Sequence, residues 1–127
     1  MLVVNARLCT GCRTCEIACA FAHGTPGAFG APRVRVAAGR TLNGPVLCLQ
    51  GDDAACVRVC PTRALGRNME TGAIECSSSR CIRCGQCAIA CPFGNITVTA
   101  TGETQKCDLC GGQPVCARFC PSGALRY

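Results

Sequence analysis

Tryptophan is absent from these 127 residues, tyrosine occurs once and phenylalanine four times. Fifteen glycines and seven prolines further interrupt regular elements, so the chain lacks the means to build a large apolar core. The scarcity of aromatics also removes the platforms on which single-stranded bases stack. The basic residues are scattered singly, with no run or stripe, so the formal net charge of +6 does not point to nucleic acid. No apolar run is long enough to span a bilayer. The stretch from Met1 to Cys9 has neither a basic segment nor an apolar one of the kind that directs export. The expectation is a soluble, cytoplasmic protein, although a twin-arginine signal on a partner would carry it outside. There is no G-x-G-x-x-G, no phosphate loop, and no flavin, nicotinamide or pterin motif, so substrate chemistry belongs elsewhere.

What the chain has is cysteine, sixteen in all. That density dominates any fold of this size, and a chain so poor in core needs staples of disulfide, zinc or clusters. The cysteines fall into four groups. The first is Cys9-x2-Cys12-x2-Cys15-x3-Cys19, and the third is Cys81-x2-Cys84-x2-Cys87-x3-Cys91, followed by Pro92. Both have the bacterial ferredoxin spacing, in which three cysteines wrap one cubane and the fourth, a helical turn further on, reaches another. The fourth group, Cys107-x2-Cys110-x5-Cys116-x3-Cys120 before Pro121, is the same device with a longer middle loop. The second, Cys48-x7-Cys56-x3-Cys60 before Pro61, has Gly51 where a ligand is expected. Cys76 stands outside all four.

Other readings of these cysteines are weaker. Zinc ribbons use separated C-x2-C pairs rather than runs of three closed by C-x3-C-P, though a zinc-binding interaction module is the alternative from another class. Disulfides fit neither a reducing cytoplasm nor cysteines this close together. Radical enzymes use C-x3-C-x2-C, an order that no group follows. The net charge fits clusters as well. An oxidised four-iron cluster with four thiolates carries about −2, so four of them bring about −8 and the basic surplus offsets it.

The spacing predicts short helices over residues 13–20, 55–59, 85–90 and 114–119. Strands are expected at 2–4, 33–36, 46–47, 73–76, 96–99 and 124–126. Pro61-Thr62-Arg63-Ala64-Leu65 and Pro121-Ser122-Gly123-Ala124-Leu125 read as one turn, used twice, leading into a strand.

Four such groups in this order resemble the electron-transfer subunits of molybdenum- or tungsten-pterin oxidoreductases. Examples are those of dimethyl-sulfoxide reductase, formate dehydrogenase and formate hydrogenlyase, with carbon-monoxide-dehydrogenase and hydrogenase ferredoxins alongside. Residues Cys15 to His23 and Lys106 to Pro114 are most similar to ferredoxin-like proteins that accompany tungsten aldehyde oxidoreductase. The resemblance implies a small α+β fold of two nested ferredoxin-like units in one polyferredoxin-like domain. The outer unit would comprise residues 1–23 with 100–127, the inner unit 45–99, and a loop and hairpin insertion 24–44. It also implies the ligand sets. Cys9, Cys12, Cys15 and Cys120 would hold one cluster, and Cys19, Cys107, Cys110 and Cys116 a second. Cys60, Cys81, Cys84 and Cys87 would hold another, leaving Cys48, Cys56 and Cys91 with Gly51.

Three outcomes are open at Gly51: a three-iron cluster, a four-iron cluster with an outside ligand, or Cys76 as the replacement thiolate. The expectation favours Cys76, since one lost ligand coincides with one extra cysteine, against the alternative that it is a small apolar filler. His23, the single histidine, reads as a surface or capping residue rather than a ligand. Arg13, Arg80 and Arg83 read as charge balance beside the cluster loops. The functional expectation is a one-electron relay without catalysis of its own. It would join a large catalytic oxidoreductase subunit to a second redox partner, a flavoprotein or ferredoxin. A charged content of only 16% favours permanent docking over a freely diffusing polyferredoxin, and self-association is conceivable.

Overall fold

The computed structural model describes all 127 residues. They form eight short strands and four helices, β1 (Val3–Val4), α1 (Thr14–Ala22), β2 (Arg35–Ala38), β3 (Asn43–Val46), α2 (Ala55–Arg58), β4 (Leu65–Arg67), β5 (Ile74–Cys76), α3 (Gln86–Ala90), β6 (Thr97–Val98), β7 (Thr104–Gln105), α4 (Val115–Arg118) and β8 (Leu125–Arg126). The strands pair only as two-stranded antiparallel ribbons, β1 with β8, β2 with β3, β4 with β5 and β6 with β7. Isolated ribbons of this length are marginal by themselves. Their stability must come from what packs on them.

The chain divides into two compact units, Met1–Leu47 with Gln113–Tyr127, and Cys48–Gly112. Hairpin β2–β3 therefore belongs to the first unit, and residues 100–112 to the second.

In the first unit, β1 and β8 pair Val3 with Arg126 and Val4 with Leu125, joining the two ends of the chain. Helices α1 and α4 pack together and bury Cys15, Cys19, Ala20 and Cys116. The sequence places β2 two residues too early. The Arg33 N–H is turned to the Cys19 sulfur at 3.2 Å, which takes that residue out of the ribbon. Glu16 on α1 then accepts a hydrogen bond from the Val36 N–H and ties β2 to the helix.

In the second unit, α2 and α3 pack together, and α2 also rests on β4. A small core of Cys56, Leu65, Ile74, Cys87 and Ile96 forms there, with Ile74 essentially inaccessible. Two of those five side chains are cysteines, so sulfur chemistry and core packing occupy the same space.

Candidate iron–sulfur sites

Two residues past the first cysteine of each group the backbone is left-handed, at Gly11 (φ 75°), Gln50 (φ 54°), Arg83 (φ 60°) and Leu109 (φ 55°). Two residues further on it is left-handed again at Arg13 (φ 60°), Gly85 (φ 75°) and Gly111 (φ 68°). This conformation costs a non-glycine residue roughly 1–2 kcal/mol, and strain of this kind gathers at functional loops. Alternating right- and left-handed residues turns successive N–H groups into one concavity, a shape that receives anions. Four loops thus share one turn, and in two of them its N–H group reaches the first cysteine's sulfur, Arg83 at Cys81 and Leu109 at Cys107. Gln50 keeps the first turn even though its loop runs to Gly51 rather than to a cysteine.

In the first unit Cys9 ends the 3-10 turn Ala6–Leu8, and Cys15 and Cys19 lie one turn apart on α1. Burial pushes the Cys15 thiol up to about 11, and the negative charge of Glu16, Cys120 and Cys12 adds to it. Cys12, Cys15 and Cys120 are thus brought within electrostatic reach of one another. The Cys12 sulfur accepts from the Thr14 hydroxyl at 3.3 Å, which holds its thiol below the ordinary range. His23 is the residue that closes α1, its N–H donating to the Cys19 and Phe21 carbonyls.

The repeated proline turn has a purpose visible in both units. At Cys60 burial raises the thiol, yet the N–H groups of Ala64 and Leu65 together with Thr62 outweigh it and lower the pKa. The Ala64 N–H lies 3.2 Å from the Cys60 sulfur. At Cys120 burial is likewise outweighed, by the N–H groups of Leu125, Ala124 and Ser122 and by the Ser122 hydroxyl. The turn that starts β4 and β8 points donors at sulfur, the arrangement that favours thiolate.

Two cavities of the second unit are lined by cysteine. One gathers Cys60, Cys81, Cys84 and Cys87, and Cys76 lines it as a fifth thiol. The other gathers Cys48, Cys56 and Cys91 beside Gly51 and Ile74. The structure therefore does not bring Cys76 to the Gly51 site. Ile74 and Cys76 share one face of β5 and stand about 6.5 Å apart along it. Ile74 faces the three-cysteine cavity and Cys76 the four-cysteine one. Burial pushes the Cys76 thiol up to about 11, and the negative charge of Cys81, Cys87 and Cys60 adds to it.

At the Gly51 site the sequence reading missed Lys106. Its ammonium donates to the Cys48 sulfur at 3.1 Å, to Gln50 Oε1 at 3.0 Å and to the Cys107 carbonyl at 3.2 Å. Gln50 also accepts from the Ile74 N–H at 2.8 Å and donates to the Cys107 carbonyl at 2.8 Å. Arg67 on β4 donates to the carbonyls of Gln50 (3.0 Å), Gly51 (2.6 Å) and Gly72 (2.7 Å), fixing the loop from the other side. A Cβ added at Gly51 would meet nothing within 4 Å. Of the fourth group, Cys116 belongs to α4 in the first unit and Cys107 and Cys110 to the second.

Sulfur donors in sets of three and four, strained turns around them and backbone donors aimed at the Cys60 and Cys120 sulfurs are what iron–sulfur clusters require. They define a non-catalytic electron carrier of the ferredoxin type. The 4Fe-4S dicluster domain matches residues 41–127 and a 4Fe-4S binding domain matches residues 7–22. The chain belongs to the 4Fe-4S dicluster family. It is 38% identical to the putative electron transport protein YsaA of Escherichia coli K12, over 98% of this chain and 87% of that protein. It is also 38% identical to the polyferredoxin-like subunit of aliphatic sulfonate oxidoreductase from Pyrococcus furiosus, over 94% of this chain and 70% of that one. Among solved structures it resembles a chain of the active site complex BamBC of benzoyl coenzyme A reductase. The TM-score is 0.56 and the identity 25%, covering 98% of this chain and 76% of that one. The protein is thus an iron–sulfur electron-transfer component of the kind that serves oxidoreductase complexes.

Proposed function

We propose that the chain is a four-cluster relay docked to a large pterin-containing catalytic subunit of the tungsten aldehyde-oxidoreductase type, passing electrons on to a flavoprotein or ferredoxin. The observation that carries the cluster number is the left-handed turn repeated in all four cysteine groups, the incomplete one included. When bound, the clusters supply one-electron storage and transfer. The chain's own residues hold them, direct backbone N–H groups at sulfur and limit water, the levers that set each potential.

The ligand sets implied by the resemblance are retained with one change. Cys48, Cys56 and Cys91 act as three thiolates without Cys76, so this site takes a three-iron cluster or a four-iron cluster with one iron open. The nested arrangement of two ferredoxin-like units belongs to the same reading. It is supported by the way the second unit's segment interrupts the first in sequence.

Docking to a catalytic subunit draws support from the oxidoreductase subunit among the relatives and from the active site complex among the structures. Exposed apolar side chains beside the cysteine loops agree with it, Ile17, Phe21 and Phe29 in the first unit and Ile82, Ile89 and Phe93 in the second. The tungsten assignment rests on the resemblance of residues 15–23 and 106–114. Anaerobic purification of the tagged chain from its own cells tests the reading. The expected result is a brown complex with a large tungsten-pterin subunit. A molybdenum subunit would replace the metal assignment, and a chain that comes out alone and fully loaded would make it a free polyferredoxin.

A further inference from the structure

The sequence holds thirteen lysines and arginines, and Lys106 is the single lysine among them. It is also one of two buried polar or charged residues, with only 5% of its surface exposed. A buried ammonium needs an anion and a full set of acceptors, or it costs far more than it returns. Lys106 has three acceptors for three N–H bonds, namely the Cys48 sulfur, the Gln50 amide oxygen and the Cys107 carbonyl. None is a carboxylate. The one sulfur it touches is that of Cys48, which lines the cavity where Gly51 replaces a thiolate, and its charge also reaches the Cys56 thiol of that cavity and the neighbouring Cys107 thiol.

The charge count at the two cavities of the second unit then differs in a definite direction. Four thiolates around a four-iron core of charge +2 give about −2; three give about −1 around such a core and about −2 around a three-iron core of charge +1, and the ammonium makes either less negative by one. The counterion is held in place. Gln50, in its strained left-handed turn, binds Lys106 and the Ile74 N–H through one oxygen and the Cys107 carbonyl through its nitrogen. A compact ammonium with three donors suits three separate acceptors, where a planar guanidinium would favour a bidentate partner.

We infer that Lys106 is a tuning residue. Its fixed positive charge, hydrogen-bonded to the Cys48 sulfur, makes the cluster of Cys48, Cys56 and Cys91 the most easily reduced of the chain. That cluster would be the resting place of the first electron in the relay. The lysine takes no electron. The one electron that arrives adds to the cluster, and the ammonium stabilises the added charge. This inference rests on the cluster reading proposed above.

The test is an EPR-monitored redox titration of the iron-loaded protein and of Lys106→Met, which keeps the aliphatic length and removes the charge. The expected result is that one cluster titrates at the highest potential in the unaltered protein. In Lys106→Met that same midpoint moves to more negative values by the largest amount, the midpoint of the cluster held by Cys107 moves less, the remaining two hold, and Lys106→Arg restores part of the shift. An unchanged midpoint at full iron content would overturn the inference and leave the relay intact. Should Lys106→Met fail to load that site, the unaltered protein answers the question by itself. With one lysine in the chain, labelling with 15N-lysine places a single reporter. Pulsed EPR of the first-reduced cluster, or of its oxidised three-iron form, must then show coupling to that nitrogen, and its absence overturns the inference. An unaltered protein without iron would instead overturn the relay itself and this inference with it.

Discussion

Cys76 and Gly51 carry the sharpest residue-scale consequences. Because Cys76 lines the cavity that already has four cysteines, Cys76→Ser should leave the iron content of the protein unchanged. Loss of one cluster, or conversion of one to a three-iron form, would contradict the placement. As a thiol without iron it should also react slowly. Burial first, and negative neighbours second, raise it from 9.0 to about 11, so at pH 8 its thiolate fraction is about a hundredfold below that of an ordinary thiol. The sign follows from the raised value. The protonated thiol's contribution to stability is complete below pH 9 and is lost as the pH rises through about 11. Burial, the largest cause, persists in the loaded protein, so alkylation of Cys76 there should be slower than that of an exposed thiol at pH 8, and an equal rate would contradict this. Gly51→Cys should do the reverse of a loss. Space is open at that position, and the loop already has the turn of a complete cysteine group. The variant should gain a fourth thiolate and give a four-iron EPR signal at that site. The extra cysteine and the missing ligand were both legible in the sequence. Their separation was not, because one two-residue step along β5 decides which cavity a side chain enters.

Among the elements, ribbon β4–β5 and the loops it holds matter most. Ile74 is the largest fully buried side chain and lines the three-cysteine cavity. Ile74→Ala should cost about 2–5 kcal/mol in denaturant titrations of the loaded protein, through lost burial and the void left behind. A cost below 1 kcal/mol would contradict the core described for the second unit. Arg67 acts on the loop rather than the core, so Arg67→Ala should release iron from the Gly51 site faster while the Cys60 site keeps its iron. The C-x3-C-P spacing made the four helices readable, since the cysteine step itself demands a helical turn. Their ends moved where no breaker stands. Helix α1 continues past Ala20 through Phe21 and Ala22 because the next glycine comes only at Gly24. Strand β7 had no signal of its own, since Thr104-Gln105 shows no apolar alternation. It forms because the Gly102 turn, with its N–H on the Thr99 carbonyl, returns the chain against β6.

At the scale of the whole molecule, the chain has few aromatics, two-stranded ribbons and a core partly made of cysteine, so metal and fold are not separable. Removing iron with a chelator under reducing conditions should abolish the cooperative thermal transition, and an unchanged transition would contradict this dependence. No helix is long and apolar enough to cross a membrane. The basic surplus, scattered singly along the chain, is what four anionic clusters would need as compensation. The claim on which the rest depends is the number and kind of those clusters, and iron and sulfide counting with Mössbauer spectroscopy on the anaerobically purified protein tests it most directly. The prediction is about fifteen or sixteen irons per chain in four clusters, three of them four-iron with complete thiolate ligation and the fourth spectroscopically distinct. Iron for only two clusters, or a colourless protein holding zinc, would contradict it.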